Sequence, residues 1–379
     1  MKIAILTQPL KSNYGCILQA YALQMVLTNL NHKVEVVNRD YAKPTIKVRF
    51  KRILRFFHTL FFKFFLGRKY LIVSNPLKQD YEYLPKSKVH AFIERYINQG
   101  QRIQSSELLK KYFTEQQFDA YIVGSDQVWR PNYSPCITNY YLDEVPAGAL
   151  AKRIAYAASF GTTEWEYTQA QTEVCSRLVK LFTAVSVRED SGVILCNKYL
   201  GVEAQNVLDP TLLLQEADYV RLIESATVKS IGEAYMACYI LDESVEKNTL
   251  IKEISNEIKV DPVYLNDNVS NNTYYSLSVE EWLDRYRNAN FVVVDSFHGC
   301  VFSIIFRKPF IVYGNKMRGM SRFESLLGQL GLSTRLISSL EDFYRHKDEL
   351  LAPIDYDEVY AILGERREDS FTFLWDALM

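Results

Sequence analysis

The chain has 379 residues, 48% of them hydrophobic, with 15 Gly, 11 Pro and a formal net charge of −1. That length exceeds one ordinary core and suits two, and the composition excludes low-complexity, collagen-like and fixed-period repeat architectures. Six scattered cysteines, with no Cys-x-x-Cys pair and no histidine at zinc-ligand spacing, exclude a structural zinc site and point to reduced, packed thiols.

The opening Met1-Lys2-Ile3-Ala4-Ile5-Leu6 has too short an apolar run for a secretion signal, so a cytoplasmic protein is expected. Residues 2–7 read as a buried strand, 8–15 as a loop and 18–30 as a helix, with Leu18, Tyr21, Ala22, Met25 and Val26 at helical spacing. Residues 34–37 are the next strand. Such a β-loop-α-β start opens a parallel, doubly wound sheet, which binds ligands at the carboxyl ends of its strands. The loop Asn13-Tyr14-Gly15 is therefore expected to face a site.

Residues 46–70 then carry eight cations and no acid: Lys47, Arg49, Lys51, Arg52, Arg55, Lys63, Arg68 and Lys69. On a helix over 50–65, Arg52, Arg55, Thr59 and Lys63 form a narrow polar strip, and Phe50, Ile53, Leu54, Phe57, Leu60, Phe61 and Phe64 cover the other face. This pattern fits an interfacial anchor on an anionic membrane, too short and too charged to span one. An amphipathic helix packed on the sheet is the alternative. No nucleic-acid motif accompanies the cations, so nucleic acid is not an expected partner.

Residues 121–123 form a buried strand that runs into Gly124-Ser125-Asp126-Gln127-Val128-Trp129; strands at 154–159 and 184–187 follow, with a helix over 164–181 between them. After Arg188-Glu189-Asp190-Ser191 come a helix to Tyr199, the segment Asn206-Val207-Leu208 and Asp209-Pro210-Thr211. The second half has strands at 235–241, 262–265, 291–294 and 309–313 and helices at 245–258, 279–288 and 299–306. The expected architecture is α/β: a Rossmann-like domain over 1–185 with the basic aromatic insertion near 46–70, a second over 186–355, and a helical tail, 356–379, packing back on the first. Two such domains face a central cleft.

Within Asp295-Ser296-Phe297-His298-Gly299, His298 follows a buried strand and opens a helix. Free N–H groups and the positive end of the helix dipole suit a phosphate or carboxylate there, and Gly299 permits close approach. A histidine at that point suits acid-base work; Ser296 as a plain N-cap and His298 as a satisfied polar residue are the structural alternative. Arg188, just past a strand near the domain boundary, can hold a planar carboxylate through its fork, or pair with Glu189 or Asp190. Asp126 and Asp209 also follow buried strands and could orient a hydroxyl or a cation, or serve as caps. Arg318 and Arg322 are further candidates for an anion. No metal spacing, Gly-x-Gly-x-x-Gly or Walker loop is found, so no metal and no tightly bound cofactor is expected.

These residues belong to ordered segments that resemble the polysaccharide pyruvyl transferase family: Asn13-Tyr14-Gly15 with Leu18-Gln19-Ala20-Tyr21-Ala22-Leu23, Val123 to Trp129, Ser186-Val187-Arg188-Glu189, Leu208-Asp209-Pro210-Thr211-Leu212-Leu213, and Asp295 to Gly299. The resemblance implies a fold similar to GT-B glycosyltransferases, phosphoenolpyruvate as co-substrate and a sugar hydroxyl pair as acceptor, one form of which is a polyprenyl-diphosphate-linked oligosaccharide of a capsule or exopolysaccharide pathway. It makes His298 the catalytic histidine and Arg188 a donor-binding residue, with Ser296 and Phe297 beside the donor. The family position at 296 can be arginine; serine here shifts that charge to Arg318 or Arg322. The acceptor is expected near Asn13, Tyr14, Gly15 and Asp126. A nucleotide-sugar glycosyltransferase or epimerase, or a non-catalytic carbohydrate-binding protein, are the competing functions.

Overall fold

A computed structural model describes residues 1–42, 88–229, 231–266, 268–270, 273–314 and 319–379. The basic aromatic segment of residues 50–65 and Arg318 lie outside the described residues.

Among the described residues, the first domain is built on a parallel six-stranded sheet, order β2-β1-β3-β4-β5-β6, comprising β1 (Lys2–Leu6), β2 (Lys33–Val36), β3 (Ala120–Val123), β4 (Lys152–Ala158), β5 (Ala184–Val187) and β6 (Gln205–Asn206). The second has a parallel five-stranded sheet, order β13-β12-β11-β7-β8, from β7 (Tyr235–Tyr239), β8 (Asp261–Tyr264), β11 (Phe291–Val294), β12 (Phe310–Tyr313) and β13 (Leu336–Ile337). A short antiparallel pair, β9 (Asn268–Ser270) and β10 (Thr273–Tyr275), stands apart. The central strands are continuous apolar runs buried on both faces, as crossover helices require: Ile3, Ile5, Ile122 and Ile154 in the first sheet, Ala237, Val292, Val293 and Ile311 in the second.

Both sheets reverse their winding at one place. In the first, β1 sits between β2 and β3; in the second, β7 sits between β8 and β11. The crevice beyond the carboxyl ends of such a strand pair is where doubly wound sheets bind ligands. Thr7 and Gly124 follow the first pair, and Ile240 and Asp295 the second.

The helix Tyr14–Asn29 is buried nearly all round, which suits its position between the two domains. Its two buried glutamines are satisfied. Gln19 donates to Thr7 Oγ1 (2.8 Å) and accepts from Ser125 N (3.0 Å), so one side chain ties together the ends of β1 and β3. Gln24 donates to Tyr96 O (2.9 Å) and accepts from Asn98 N (2.7 Å).

The long C-terminal helix, Tyr356–Leu378, returns to the first domain. Phe373 packs on Tyr156, Ser370 Oγ accepts from Leu208 N (3.0 Å), and the buried Arg367 donates to the carbonyls of Leu212 (2.6 Å) and Leu214 (3.1 Å). Two helices begin earlier than the sequence pattern suggests. Tyr14 and Gly15 are the first turn of their helix, with Asn13 as its cap, and Phe297–Ile305 starts ahead of Gly299, placing His298 in its first turn. No described helix is long and apolar enough to cross a membrane.

Candidate active site between the domains

The ends of the two winding reversals meet around a cavity of ≈ 160 Å³. The first domain lines it with Asn13, Asp126, Gln127 and Tyr133, the second with Leu241, Asp295, Ser296, Phe297, His298 and Arg322.

Behind this wall lies a buried charge cluster. Arg188 Nη1 bonds Asp209 Oδ2 at 2.5 Å and Nη2 bonds Asp126 Oδ1 at 3.1 Å; Nε stands 3.9 Å from Glu189 Oε2. Asp209 is held from several sides. Its Oδ1 accepts from Thr211 N (3.1 Å) and Thr211 Oγ1 (2.6 Å), and its Oδ2 accepts from Ser125 Oγ (2.9 Å) as well as from Arg188. Glu189 Oε1 accepts from Ser159 Oγ and from the backbone N–H of Phe160 and Gly161. Burial of so many charges is tolerable only because each is paired; deleting one partner of such a pair costs about 3–5 kcal/mol.

His298 reaches across from the second domain into this cluster, its Nε2 3.7 Å from Asp209 Oδ2. At that distance the contact is electrostatic and not yet a hydrogen bond. Burial works against a charge on Asp209, but His298, Arg188 and Thr211 outweigh it and hold the carboxyl well below the ordinary aspartate range. Asp126 is also held low: burial opposes its charge, and Arg188, His298 and Arg322 more than offset that. Both carboxylates are thus ionised.

Two guanidinium groups lie over the ring of Phe297, Arg188 at 4.6 Å and Arg322 at 5.5 Å from its centroid. Burial, reinforced by the neighbouring charge of Arg188, lowers Arg322 to about 10. Arg322, in the first turn of the helix Met320–Gln329, is a cation lining the cavity, with His298 in the first turn of another helix beside it. A cation and free helix-terminal N–H groups together suit an anion. Among the described residues, no group of three His, Cys, Asp or Glu side chains is placed to hold a metal ion.

The structure gives several expected site residues work that the sequence pattern does not show. Arg188 is buried behind Phe297 and does not line the cavity; its fork already holds Asp209 and Asp126. Asp126, its partner on the Nη2 edge, does line the cavity. Tyr14 is no open acceptor contact, because its ring stacks on Trp282 (5.2 Å, 13°) and its hydroxyl donates to Leu277 O (2.9 Å), clamping the domains together. Asn13 lines the cavity but spends its side chain capping Cys16 N (3.0 Å). Gly299 serves packing and not ligand approach: a Cβ there would stand 2.9 Å from both Tyr286 Oη and Val294 Cγ1. Ser296 caps its helix without a side-chain bond and faces the cavity.

Gly15 has the most exacting role. A Cβ at that position would lie 2.1 Å from His298 Nδ1 and 2.3 Å from its Cγ, so only glycine leaves room for the imidazole. Gln127 lies within the quoted segment Val123 to Trp129 but carries no expected role there; for Tyr133 and Leu241 the only signal in the sequence is a position beyond β3 or β7. Asp295 lies within the quoted motif, yet its role is invisible there: it accepts from Leu241 N (2.6 Å), Asp242 N (3.0 Å) and Lys247 Nζ (2.6 Å), fixing the cavity's far wall.

A family model described as polysaccharide pyruvyl transferase matches residues 13–317. No curated protein matches the chain. Among solved structures, the UDP-GlcNAc 2-epimerase from Neisseria meningitidis bound to UDP-GlcNAc is similar at 10% identity and TM-score 0.52, covering 99% of this chain and 100% of that one. The UDP-N-acetylglucosamine 2-epimerase from Rickettsia bellii gives 10% identity and TM-score 0.50, covering 100% and 97%. At such identity the likeness establishes the fold, the two-domain GT-B-type α/β arrangement expected from the sequence.

The Gly15–His298 contact generates a double-mutant test. Gly15→Ala overpacks the site and is expected to destabilise the protein by about 1–3 kcal/mol, read from urea unfolding. In a His298→Ala background the same change should cost little, because the space has been vacated. Equal costs in the two backgrounds would show that Gly15 is not kept small by His298.

Proposed function

The chain belongs to the polysaccharide pyruvyl transferase family, and from that premise we propose that it transfers pyruvate from phosphoenolpyruvate to a pair of sugar hydroxyls, forming a pyruvate ketal on a surface-polysaccharide precursor. The observation that carries this reading is His298 beside Arg322 in the cavity, with the ionised Arg188–Asp209 cluster behind them.

The chemistry follows from the donor. Protonation of its methylene carbon by His298 makes a methyl group and a cation-like central carbon. One acceptor hydroxyl attacks that carbon and returns its proton to His298. The C–O bond to phosphate then breaks, the second hydroxyl closes the ketal, and its proton leaves with the phosphate. Arg322 and the helix start at Phe297 and His298 stabilise the phosphate as charge accumulates on it. The donor carboxylate exchanges with Asp126 for the Nη2 edge of Arg188, a swap of one carboxylate for another that leaves the buried charge balance intact. Ser296 supplies no cation, so Arg322 carries that duty; Arg318 is a second candidate on sequence alone.

The acceptor side is the first-domain wall near Asn13, Gln127 and Tyr133. A lipid-linked acceptor fits the basic aromatic sequence of residues 50–65, read as an anchor on the anionic inner face of the cytoplasmic membrane.

Incubation with phosphoenolpyruvate and a panel of lipid-linked sugars should release phosphate only when a suitable acceptor is present. His298→Ala should abolish that release, and Arg322→Ala should raise the KM for phosphoenolpyruvate at least tenfold, the loss of roughly one charge-assisted hydrogen bond. Release of a nucleoside diphosphate from a nucleotide sugar would instead identify a glycosyltransferase or epimerase. In flotation with vesicles, the protein should bind those containing anionic lipid and lose that binding when Arg52, Arg55 and Lys63 are made neutral; equal flotation would remove the membrane part of the reading.

A further inference from the structure

The two nitrogens of His298 are in unlike surroundings. Nε2 is sealed from solvent and has no hydrogen-bond partner among the described residues, its nearest polar neighbour being Asp209 Oδ2 at 3.7 Å. That carboxylate comes from the first domain, just after β6, and the histidine from the second, just after β11. The other edge of the ring carries Nδ1, which packs against Gly15, where a Cβ would stand 2.1 Å from it, and His298 lines the cavity. A buried imidazole nitrogen facing an ionised carboxylate is stable as an N–H donor and unstable as a lone pair.

Asp209 cannot turn away to satisfy itself elsewhere. Thr211 holds its Oδ1 through two bonds, and Ser125 and Arg188 hold its Oδ2. The carboxylate is therefore a fixed feature of the first domain, and closing the remaining gap by about 1 Å would bring Nε2–H to hydrogen-bonding distance.

We propose that Asp209 is the positioning residue that keeps the proton of His298 on Nε2, so that Nδ1 is the nitrogen that exchanges a proton with the ligand. The inference rests on the pyruvyl-transfer reading for its chemistry, while the tautomer itself does not. Nδ1–H protonates the donor's methylene carbon, leaving the neutral ring with its proton on Nε2; Nδ1 then takes the proton of the attacking hydroxyl and is restored. Nε2 keeps its proton throughout, and Asp209 stabilises the ring each time it is charged. Because the carboxylate and the ring come from different domains, the pair depends on how the two domains meet.

The test is a two-bond ¹H–¹⁵N correlation spectrum of the full-length protein labelled in histidine, recorded at a pH where the ring is neutral. The chain has 5 histidines, and His298→Gln identifies the signal by its loss. The expected result is the Nε2–H tautomer for His298. An Nδ1–H tautomer overturns the inference whatever the activity. Asp209→Asn should weaken that preference and lower kcat by roughly two to four orders of magnitude, with the KM for phosphoenolpyruvate changed much less. Thr211→Val, which keeps the carboxylate but frees its Oδ1, should shift both readouts in the same direction by a smaller amount. An unchanged tautomer and kcat in Asp209→Asn would also overturn the inference. Absence of phosphate release by wild type that shows the Nε2–H form would retire the pyruvyl-transfer reading and leave the Asp209–His298 relation standing.

Discussion

The carboxylate of Asp209 is the interaction on which the site depends. It binds Arg188 at 2.5 Å and faces His298 at 3.7 Å, so one buried anion joins the guanidinium of the first domain to the imidazole of the second. A charge this deep persists only when it is well paired, and Thr211 and Ser125 add their hydrogen bonds to that of Arg188. Most of the surrounding structure can be understood as what keeps that arrangement in register. Gln19 ties the ends of β1 and β3, Arg367 and Ser370 bind the backbone on either side of Asp209, and Tyr14 clamps the second domain against the first through Trp282 and Leu277.

The same arrangement explains why the cavity is lined as it is. Arg188 is buried and paired with carboxylates, so the cation that lines the cavity is Arg322. The aromatic ring of Phe297 presents its π-system to each guanidinium, an attraction that offsets part of their mutual repulsion. Asp126 completes the wall by occupying the outer edge of Arg188 with a carboxylate, the group that the proposed donor also carries. A site that holds a carboxylate of its own in this position is preorganised for exchange and avoids leaving a buried cation bare when empty.

Much of this was legible in the sequence because strand ends are legible. Apolar runs such as Phe291–Val294 mark buried parallel strands, and the polar residues after them fall where a doubly wound sheet binds ligands. That logic brought Asp126, Asp209, Ser296, Phe297 and His298 together. It could not show which of them touch. Gly15 reads as a loop residue because glycine is a poor helix former; it sits in the first turn of a helix because His298, remote in sequence, fills the space its side chain would take. Arg188 reads as an open fork, yet its fork is taken by carboxylates that arrive from other strand ends. Gly299 reads as room for a ligand, whereas Tyr286 and Val294 occupy that room. Each difference arises from a contact across the fold, to which local pattern is blind.

The central claim is that His298 hands a proton to the methylene carbon of an enolpyruvyl donor. That proton exchanges with solvent, which makes the step visible in the product. Turnover in deuterium oxide, followed by mass spectrometry of the ketal, is predicted to give a methyl group carrying one deuterium per pyruvate transferred. A pyruvyl product whose methyl group contains no deuterium would contradict the account.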